Sequence, residues 1–504
     1  MTSWGRDEPE PRSWTSGPWS VDVRGDELAD VTFDGSLVLR AVRAVIRDRD
    51  WNTVPTTVVS AELGDPLSLS LRFDGFGAEF DGTLSVTAEG DILTVSFSAT
   101  AHRDFLRNRI GLVALHPPTL AGHPLAITHP DGTTTLAEYP DTIAPHQPAR
   151  DIAALAWSAG GLDIAARFTG DTFEMEDQRN WTDASFKTYS TPLDVPFPVL
   201  VPAGTEISQS LELSVSRVAP AAIQDDPAIV FTRTDALVPE VSAGSAVEHL
   251  VVGAPTEVAP AVAALPPRTR RVAVFDAATH ITEPALWDAL VAAAAGRFEL
   301  VGGTRAHFTE LNRTHERLPA DLPALTFSIT PQMHARENAQ LVESIGMQRL
   351  VVRDARAIAA GRPLHVGPVT LRPRFNAVAT SGVVEPAPAD ERQSSPALAA
   401  WTIASAAALF QPGVASVSWF EESGPKGVAG FPVEEAIRWL RELAGHPLFI
   451  AEDLPRDVWA VAAELPTGPV ALVANLRDEP VTVRLGTPFD RGVSIPPLTA
   501  LRLG

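Results

Sequence analysis

Two periods of apolar and polar residues alternate along this chain, and the switches between them divide it into three parts. From about residue 18 to 218 the period is two: TLSVTA, ILTVSFSA, LAITHP, GLDIAARF and ISQSLELSVS place apolar residues at every second position. A strand sends successive side chains to opposite faces, so this alternation predicts strands with one face buried. Turn signals such as Phe33-Asp34-Gly35, Pro130-Asp131-Gly132 and Ala159-Gly160-Gly161 separate them. Many strands, short turns and little helical periodicity predict an antiparallel sandwich or barrel over residues 1–220.

The pattern changes near Pro220-Ala221. From about 229 to 445, short apolar runs at 249–253, 271–275, 298–302, 325–330, 349–353, 369–372 and 416–420 alternate with alanine-rich helical stretches. The clearest helix is 432–444: Val433, Ala436, Ile437, Leu440 and Leu443 repeat at helical spacing, Pro432 suits the first turn and Gly445 the end. Strands alternating with helices predict a parallel sheet over 221–446, either an open doubly wound one or a (β/α) barrel. About 215 residues is short against the typical ~250, and seven predicted strands are one fewer than eight, so a barrel here is expected to be shortened. After Pro447 the runs VWAVAAEL, GPVALVANL, EPVTVRLG and TALRLG predict a small C-terminal β-domain over 447–504. The segment 383–396, VVEPAPADERQSSP, reads as a polar loop before a helix.

Charge and composition narrow the function. The chain of 504 residues carries a formal net charge of −22 and no Lys/Arg run, which argues against nucleic acid or an anionic membrane as partner. It has no cysteine, which removes disulfides, thiolate metal sites and cysteine nucleophiles and fits a reducing cytoplasm. MTSWGRDEPEPRSW lacks the basic start and apolar core of a signal peptide, and the apolar run 398–410 contains Thr402 and Ser405 and is too short to span a bilayer. A cytoplasmic protein is expected; oligomeric state is left open. No G-x-S-x-G, G-x-G-x-x-G or G-x-x-x-x-G-K-[ST] motif is present, and the 12 histidines form no H-x-H or H-x-x-x-H pair, so no metal site and no cofactor are expected.

Several stretches could carry chemistry. FEMEDQRNWTDASFKTY (173–189) packs Glu174, Glu176, Asp177, Arg179 and Asp183 around Trp181 and Phe186. Carboxylates beside an aromatic face suit a polyol, with Glu176, Arg179 and Trp181 as binding residues; the bland alternative is an interdomain network in which Arg179 and Lys187 pair with the carboxylates. FELVGGTRAHFTELNR (298–313) and ASVSWFEESGPKGV (415–428) each place a glutamate, Glu310 and Glu421, just past a strand, where barrel enzymes build their sites. Glu310 with Arg313 could equally be a surface ion pair, and two carboxylates arise by chance in an acidic chain. His334 follows the 325–330 strand; Arg372, Arg374 and Asn376 follow 369–372, where arginines could hold a carboxylate or an oxyanion as readily as form salt bridges.

Taken together, GDTFEMEDQRNWTDASFKTY, GGTRAHFTELNR, TPQMHA, GPVTLRPRFN and WFEESGPKGV, with NRIGLVALHP (108–117) and PHQPARDI (145–152), resemble the D-apionate lactonase family in content and order. The resemblance implies a β-sandwich, a TIM-type barrel and a C-terminal β-domain, and hydrolysis of D-apionolactone to D-apionate. Glu310 and Glu421 also match the acid/base after strand four and the nucleophile ending strand seven of retaining glycosidases, which such a barrel is similar to. The sequence departs from the family pattern in a short alanine-rich stretch over 233–297, in Phe420-Glu421-Glu422-Ser423-Gly424, and at Arg305, where a small polar residue is expected. The reading is a hydrolase acting on a sugar lactone or sugar acid, with Glu310, Glu421 and His334 as catalytic residues and Asn312 and Arg372 steadying the oxyanion. A retaining glycosidase and a non-catalytic sugar-acid binding protein are the alternatives.

Overall fold

The computed structural model describes residues 3–218, 228–377 and 388–504. The expected boundary at Pro220-Ala221 and the 383–387 part of the polar loop lie outside them.

The alternating N-terminal segments form two antiparallel sheets of nine strands each. In the first, Ser36–Asp48 pairs with Phe105–His116, which pairs with Phe186–Tyr189 and so leads to Phe173–Asp177. In the second, Leu162–Thr169 shows the simplest pattern, strictly buried then exposed, and lies between Ala154–Ala159 and Glu206–Arg217. One core, with Trp19, Phe73, Phe80, Phe97, Phe173 and Phe186 fully buried, fills the space between the sheets. The exception to half-burial is Phe173–Asp177, where all five residues are buried. Phe173 and Met175 join the sandwich core, while Glu174 and Glu176 on the other face are covered as well. A fully covered strand of glutamates needs partners for its charges.

The second part is a parallel barrel sheet of seven strands among the described residues: β1 (Glu240–Ala243), β2 (Glu248–Val252), β3 (Arg271–Asp276), β4 (Glu299–His307), β5 (Leu325–Ile329), β6 (Leu364–Val369) and β7 (Val414–Trp419). The spatial order is β1-β7-β6-β5-β4-β3-β2, so consecutive β1 and β2 are the two edges and the barrel is open at that seam. Helices α1 (Val258–Ala263), α2 (Pro284–Ala294), α3 (Phe308–Thr314), α4 (Asn338–Ala359), α5 (Ala397–Leu409) and α6 (Val433–Leu443) alternate with the strands from β2 onward.

The expected strand at 349–353 is instead part of the 22-residue α4. Its Leu-Val-Val run looks strand-like in a short window, yet Leu341, Ile345, Gln348, Val352, Ala355 and Ala359 are buried at spacings of three and four, the signature of a helix face. The strand expected at 369–372 is β6, which begins at Leu364 and ends at Val369, because Gly367-Pro368 reads as a turn. β1, only four residues with two small ones, has no apolar run to announce it. The helix expected at 432–444 is α6, with Val433, Ala436, Ile437, Leu440 and Leu443 all buried.

The run 398–410 is α5, buried on every side but Ala399 and in contact with α4, α6 and the third part of the molecule. That third part is a five-stranded antiparallel sheet of Val230–Leu237, Pro447–Glu452, Val458–Leu465, Gly468–Asn475 and Thr499–Leu503, with the hairpin Val481–Leu485/Arg491–Ile495 beside it. Val230–Leu237 precedes the barrel in sequence but pairs with Pro447–Glu452, so the chain enters and leaves the barrel through one sheet. No helix among the described residues is long and apolar enough to cross a membrane.

Candidate active site

The two ends of the barrel treat charge differently. At the N-terminal end, Arg271 on β3 bridges Glu240 and Glu299 at 2.7 Å each, and Arg270 reaches the same two carboxylates at 3.0 and 3.1 Å. His365 on β6 contacts Ser416 on β7 at 2.7 Å. Every one of these charges has an opposite neighbour, as expected of the face that serves stability.

At the C-terminal end, β4 departs from regular pairing. Gly303 stands opposite Thr326 and His307 opposite Ser328, so four steps on β4 match two on β5. Gly303 has φ of +127° and a Cβ there would collide with the Thr326 carbonyl oxygen, so only glycine fits. The bulge delivers Arg305 and His307 to the barrel mouth. α3 then starts, and the Glu310 carboxylate at its third position accepts the His307 N–H at 3.1 Å. Burial pushes Glu310 up to about 7, against the pull of the Arg313 guanidinium. A carboxyl group balanced near neutrality can both take and return a proton.

Glu421 lies two residues past the end of β7, behind Phe420 with φ of +56°. Its backbone is fixed by Glu421 N–H to the Lys426 carbonyl (3.0 Å) and by Val428 N–H to its own carbonyl (3.1 Å), while its side chain is exposed. The charge of Glu421 acts on Arg374, which burial and the nearby Arg305 lower to about 10. Arg374 donates to the Arg305 carbonyl at 2.5 Å. Arg305 in turn contacts His280 Nδ1 at 2.9 Å and stacks over Phe375, 4.3 Å from the ring centre. Burial drives His280 down to about 4 and His249 and His307 to about 3, with Arg374 or Arg305 adding to the shift in each case, so these imidazoles are neutral. Among the described residues, buried His249 Nε2, His307 Nδ1 and Arg374 Nε have no protein partner.

The sandwich closes one side of this mouth. Arg313, one turn beyond Glu310, stacks over Trp181 at 4.9 Å and reaches Glu176 at 3.7 Å. Burial alone would raise Glu176, but Lys187 at 2.9 Å, then His334 and Arg313, hold it at about 2. His334 contacts the Asp183 carboxylate through Nδ1 and the edge of Trp181 at 5.3 Å. Desolvation pushes Asp183 up to about 8 and His334 well down, so the pair shares its proton instead of separating charge. Glu421, Arg374, His307, Glu310, Arg313, Trp181 and His334 therefore follow one another along an arc from barrel to sandwich.

The remaining expected site residues hold the frame. Arg179 is fully buried, pairs with Asp177 at 2.7 Å and donates to the carbonyls of Pro140, Asp141 and Thr142. Arg179–Asp177 and Lys187–Glu176 are both pairs within the sandwich, and of the two it is the second that extends to the barrel, through Glu176 to Arg313. Asn312 donates to the Ile143 carbonyl (3.0 Å) and the Asn180 side chain (2.9 Å), which ties α3 to the sandwich. Arg372 pairs with Asp390 at 2.9 Å, beside Arg392 and Gln332; Arg392 first and Arg372 after it hold Asp390 well below the carboxylate range despite its burial. Asn376 donates to the Asp50 carbonyl at 2.9 Å, bringing a sandwich loop to the barrel rim. The sequence does not single out His249 or His280; neither lies in a recurring motif, and only their convergence in space marks them, whereas Asp183 and Lys187 lie in the conspicuous 173–189 stretch without being among the expected site residues. Among the described residues no group of three or more metal-binding side chains occurs.

The pattern describing the D-apionate lactonase N-terminal domain matches residues 1–218, and that for the D-apionate lactonase TIM barrel domain matches 230–449. The D-apionate lactonase of Brucella anthropi is 26% identical, covering 95% of this chain and 94% of that one. Among solved structures, a beta-arabinopyranosidase is 8% identical over 96% of each chain with a TM-score of 0.30. A galactose mutarotase-like protein from Lactobacillus casei is 9% identical, covering 41% of this chain and 100% of that one, with a TM-score of 0.30. Likenesses at that level carry no argument. The two domain matches, taken with a relative aligned over nearly its full length, show that the chain belongs to the D-apionate lactonase family.

Proposed function

We propose that this protein opens a sugar-derived lactone by general-base hydrolysis, with D-apionolactone going to D-apionate as the reaction its family relative suggests. The observation that carries the reading is Glu310: a glutamate just past β4, pushed up to about 7 and hydrogen-bonded to backbone at the start of α3. In its ionised form Glu310 takes a proton from water as the water oxygen attacks the lactone carbonyl carbon. The carbonyl oxygen becomes an oxyanion, which the arginines at the mouth stabilise, Arg374 foremost. The tetrahedral intermediate then expels the ring oxygen. That oxygen takes the proton back from Glu310, which returns the carboxylate to its starting form, and the product is the hydroxy acid. Glu421 supports the reaction through its charge on Arg374. Setting such a base near neutral pH contributes on the order of a hundredfold or more.

Placement of the two glutamates past the fourth and seventh strands also suits a retaining glycosidase, so the test must separate the two. The purified protein is incubated with D-apionolactone, a set of aldonolactones and nitrophenyl glycosides, and acid or nitrophenol release is followed. Lactone opening without glycoside cleavage is expected. Glycoside cleavage alone would replace this reading, and silence from the folded protein on both sets would leave a binding protein. Its site of action is proposed to be the cytoplasm, in keeping with the absence of cysteine.

A further inference from the structure

Arg305 and Arg374 are cations close together with no carboxylate in ion-pair contact; Glu421 acts on Arg374 only through its longer-range charge. Neither has an ion-pair partner among the described residues, whereas Arg271 at the opposite end of the same barrel has two. Both are instead held in place by neutral groups. Arg305 is clamped between the His280 ring, 2.9 Å from its Nη2, and the face of Phe375, with His280 and Phe375 themselves 5.1 Å apart edge to face. Arg374 is anchored by one nitrogen to the Arg305 carbonyl, which leaves its buried Nε without a protein partner. Buried His307, whose Nδ1 is likewise unpartnered, lies within the electrostatic reach of Arg374. Arg305 spends Nε and Nη2 on His280 Nδ1, at 3.2 and 2.9 Å, so the donors turned over to an anion are its Nη1 group and the unpartnered Nε of Arg374; a carboxylate, with about four lone-pair positions, can accept from both.

We propose that Arg305 and Arg374, with His307 beside them, form a carboxylate-binding subsite that grips the carboxylate of a sugar acid at the barrel mouth. The choice of a sugar acid as ligand rests on the lactone-hydrolase reading above. The carboxylate has two possible sources: the group set free when a lactone opens, or one already carried by the ring. Phosphate-like anions are disfavoured because the three nearby imidazoles are neutral and Glu421 already offsets part of the charge.

The test is calorimetric titration of the whole chain with four- to six-carbon aldonates, with aldarates, and with the alditols of the same lengths. Aldonates are expected to bind and alditols to bind at least about tenfold more weakly, the size of a lost charged hydrogen bond. Aldarates binding more tightly than aldonates would identify a ring-borne carboxylate as the source; equal or weaker aldarate binding would identify the released one. Arg305→Gln should weaken aldonate binding about tenfold or more, and Arg305→Lys, which keeps the charge but loses the fork, by less. Alditols binding as well as aldonates would overturn the inference. So would unchanged aldonate affinity in both folded Arg305 variants. A protein that opens lactones yet fails this titration refutes the subsite alone, and one that binds aldonates but opens no lactone refutes only the hydrolase reading.

Discussion

The two ends of the barrel use the same residue types to opposite purpose. At the N-terminal end, Arg270 and Arg271 share Glu240 and Glu299 in a closed set of four ion pairs. At the C-terminal end, Arg305 and Arg374 have imidazoles, a phenyl ring and a backbone carbonyl for neighbours, and Glu310 is held near neutrality by burial. Charges that cancel stabilise a fold; charges left uncancelled in a partly buried place cost stability and are kept for a ligand or a reaction. The difference locates the site without reference to any motif.

That comparison can be broken at either end. The largest expected effect is on catalysis: Glu310→Gln should lower lactone-opening kcat by about a hundredfold or more, with KM little changed, as read from initial rates. Gly303→Ala should cost about 2–3 kcal/mol in denaturant unfolding, because alanine is strained at this φ and meets the Thr326 carbonyl. It should also reduce activity, since the bulge that carries Arg305 and His307 must shift. Arg271→Met at the other end should cost about 1–3 kcal/mol, discounted because Glu240 and Glu299 are half-exposed, and leave the kcat of the folded protein unchanged. A large loss of kcat in that variant would erase the distinction between the ends. The smallest effect belongs to the exposed α6 pairs: Arg438→Ala should change stability by about 0.5 kcal/mol or less.

The sign of the Glu310 shift gives a further check. Its folded value, about 7, lies above the ordinary 4.5, so its contribution to stability is present below about pH 4.5 and is lost as pH rises through 7. Glu310→Gln should therefore be more stable than the parent at pH 8, by about 1–3 kcal/mol, and no more stable at pH 4. An unfolding series at the two pH values measures this directly.

Much of the frame was legible in the sequence because it is written in periodicity. Alternation announced the sandwich, and 3.6-residue spacing announced α6, because both report one buried face. The barrel was harder to read. Its strands are covered on both faces and lose alternation, so the Leu-Val-Val run in α4 resembled a strand while β1, with Ser242 and Ala243, resembled nothing. Glu310 and Glu421 could be found because each follows an apolar run. The cradle could not: His280 follows β3, Arg305 lies within the β4 bulge and Phe375 follows β6, and only the closure of the barrel brings them together. Residues 173–189 were conspicuous for their charges, yet the fold splits them between two tasks. Arg179 and Asp177 brace the sandwich, while Glu176, Trp181 and Asp183 face Arg313 and His334 at the edge of the site.

The most direct test of the central claim is the pH dependence of kcat/KM for lactone opening, corrected for spontaneous hydrolysis, in the parent protein and in Glu310→Gln. If Glu310 is the base, the parent profile rises with unit slope below about pH 7 and flattens above it, and the Glu310→Gln profile is lower by about a hundredfold and lacks the inflection. A parent profile that stays flat from pH 5 to 8, or a Glu310→Gln protein with the parent's rate and inflection, would contradict the account.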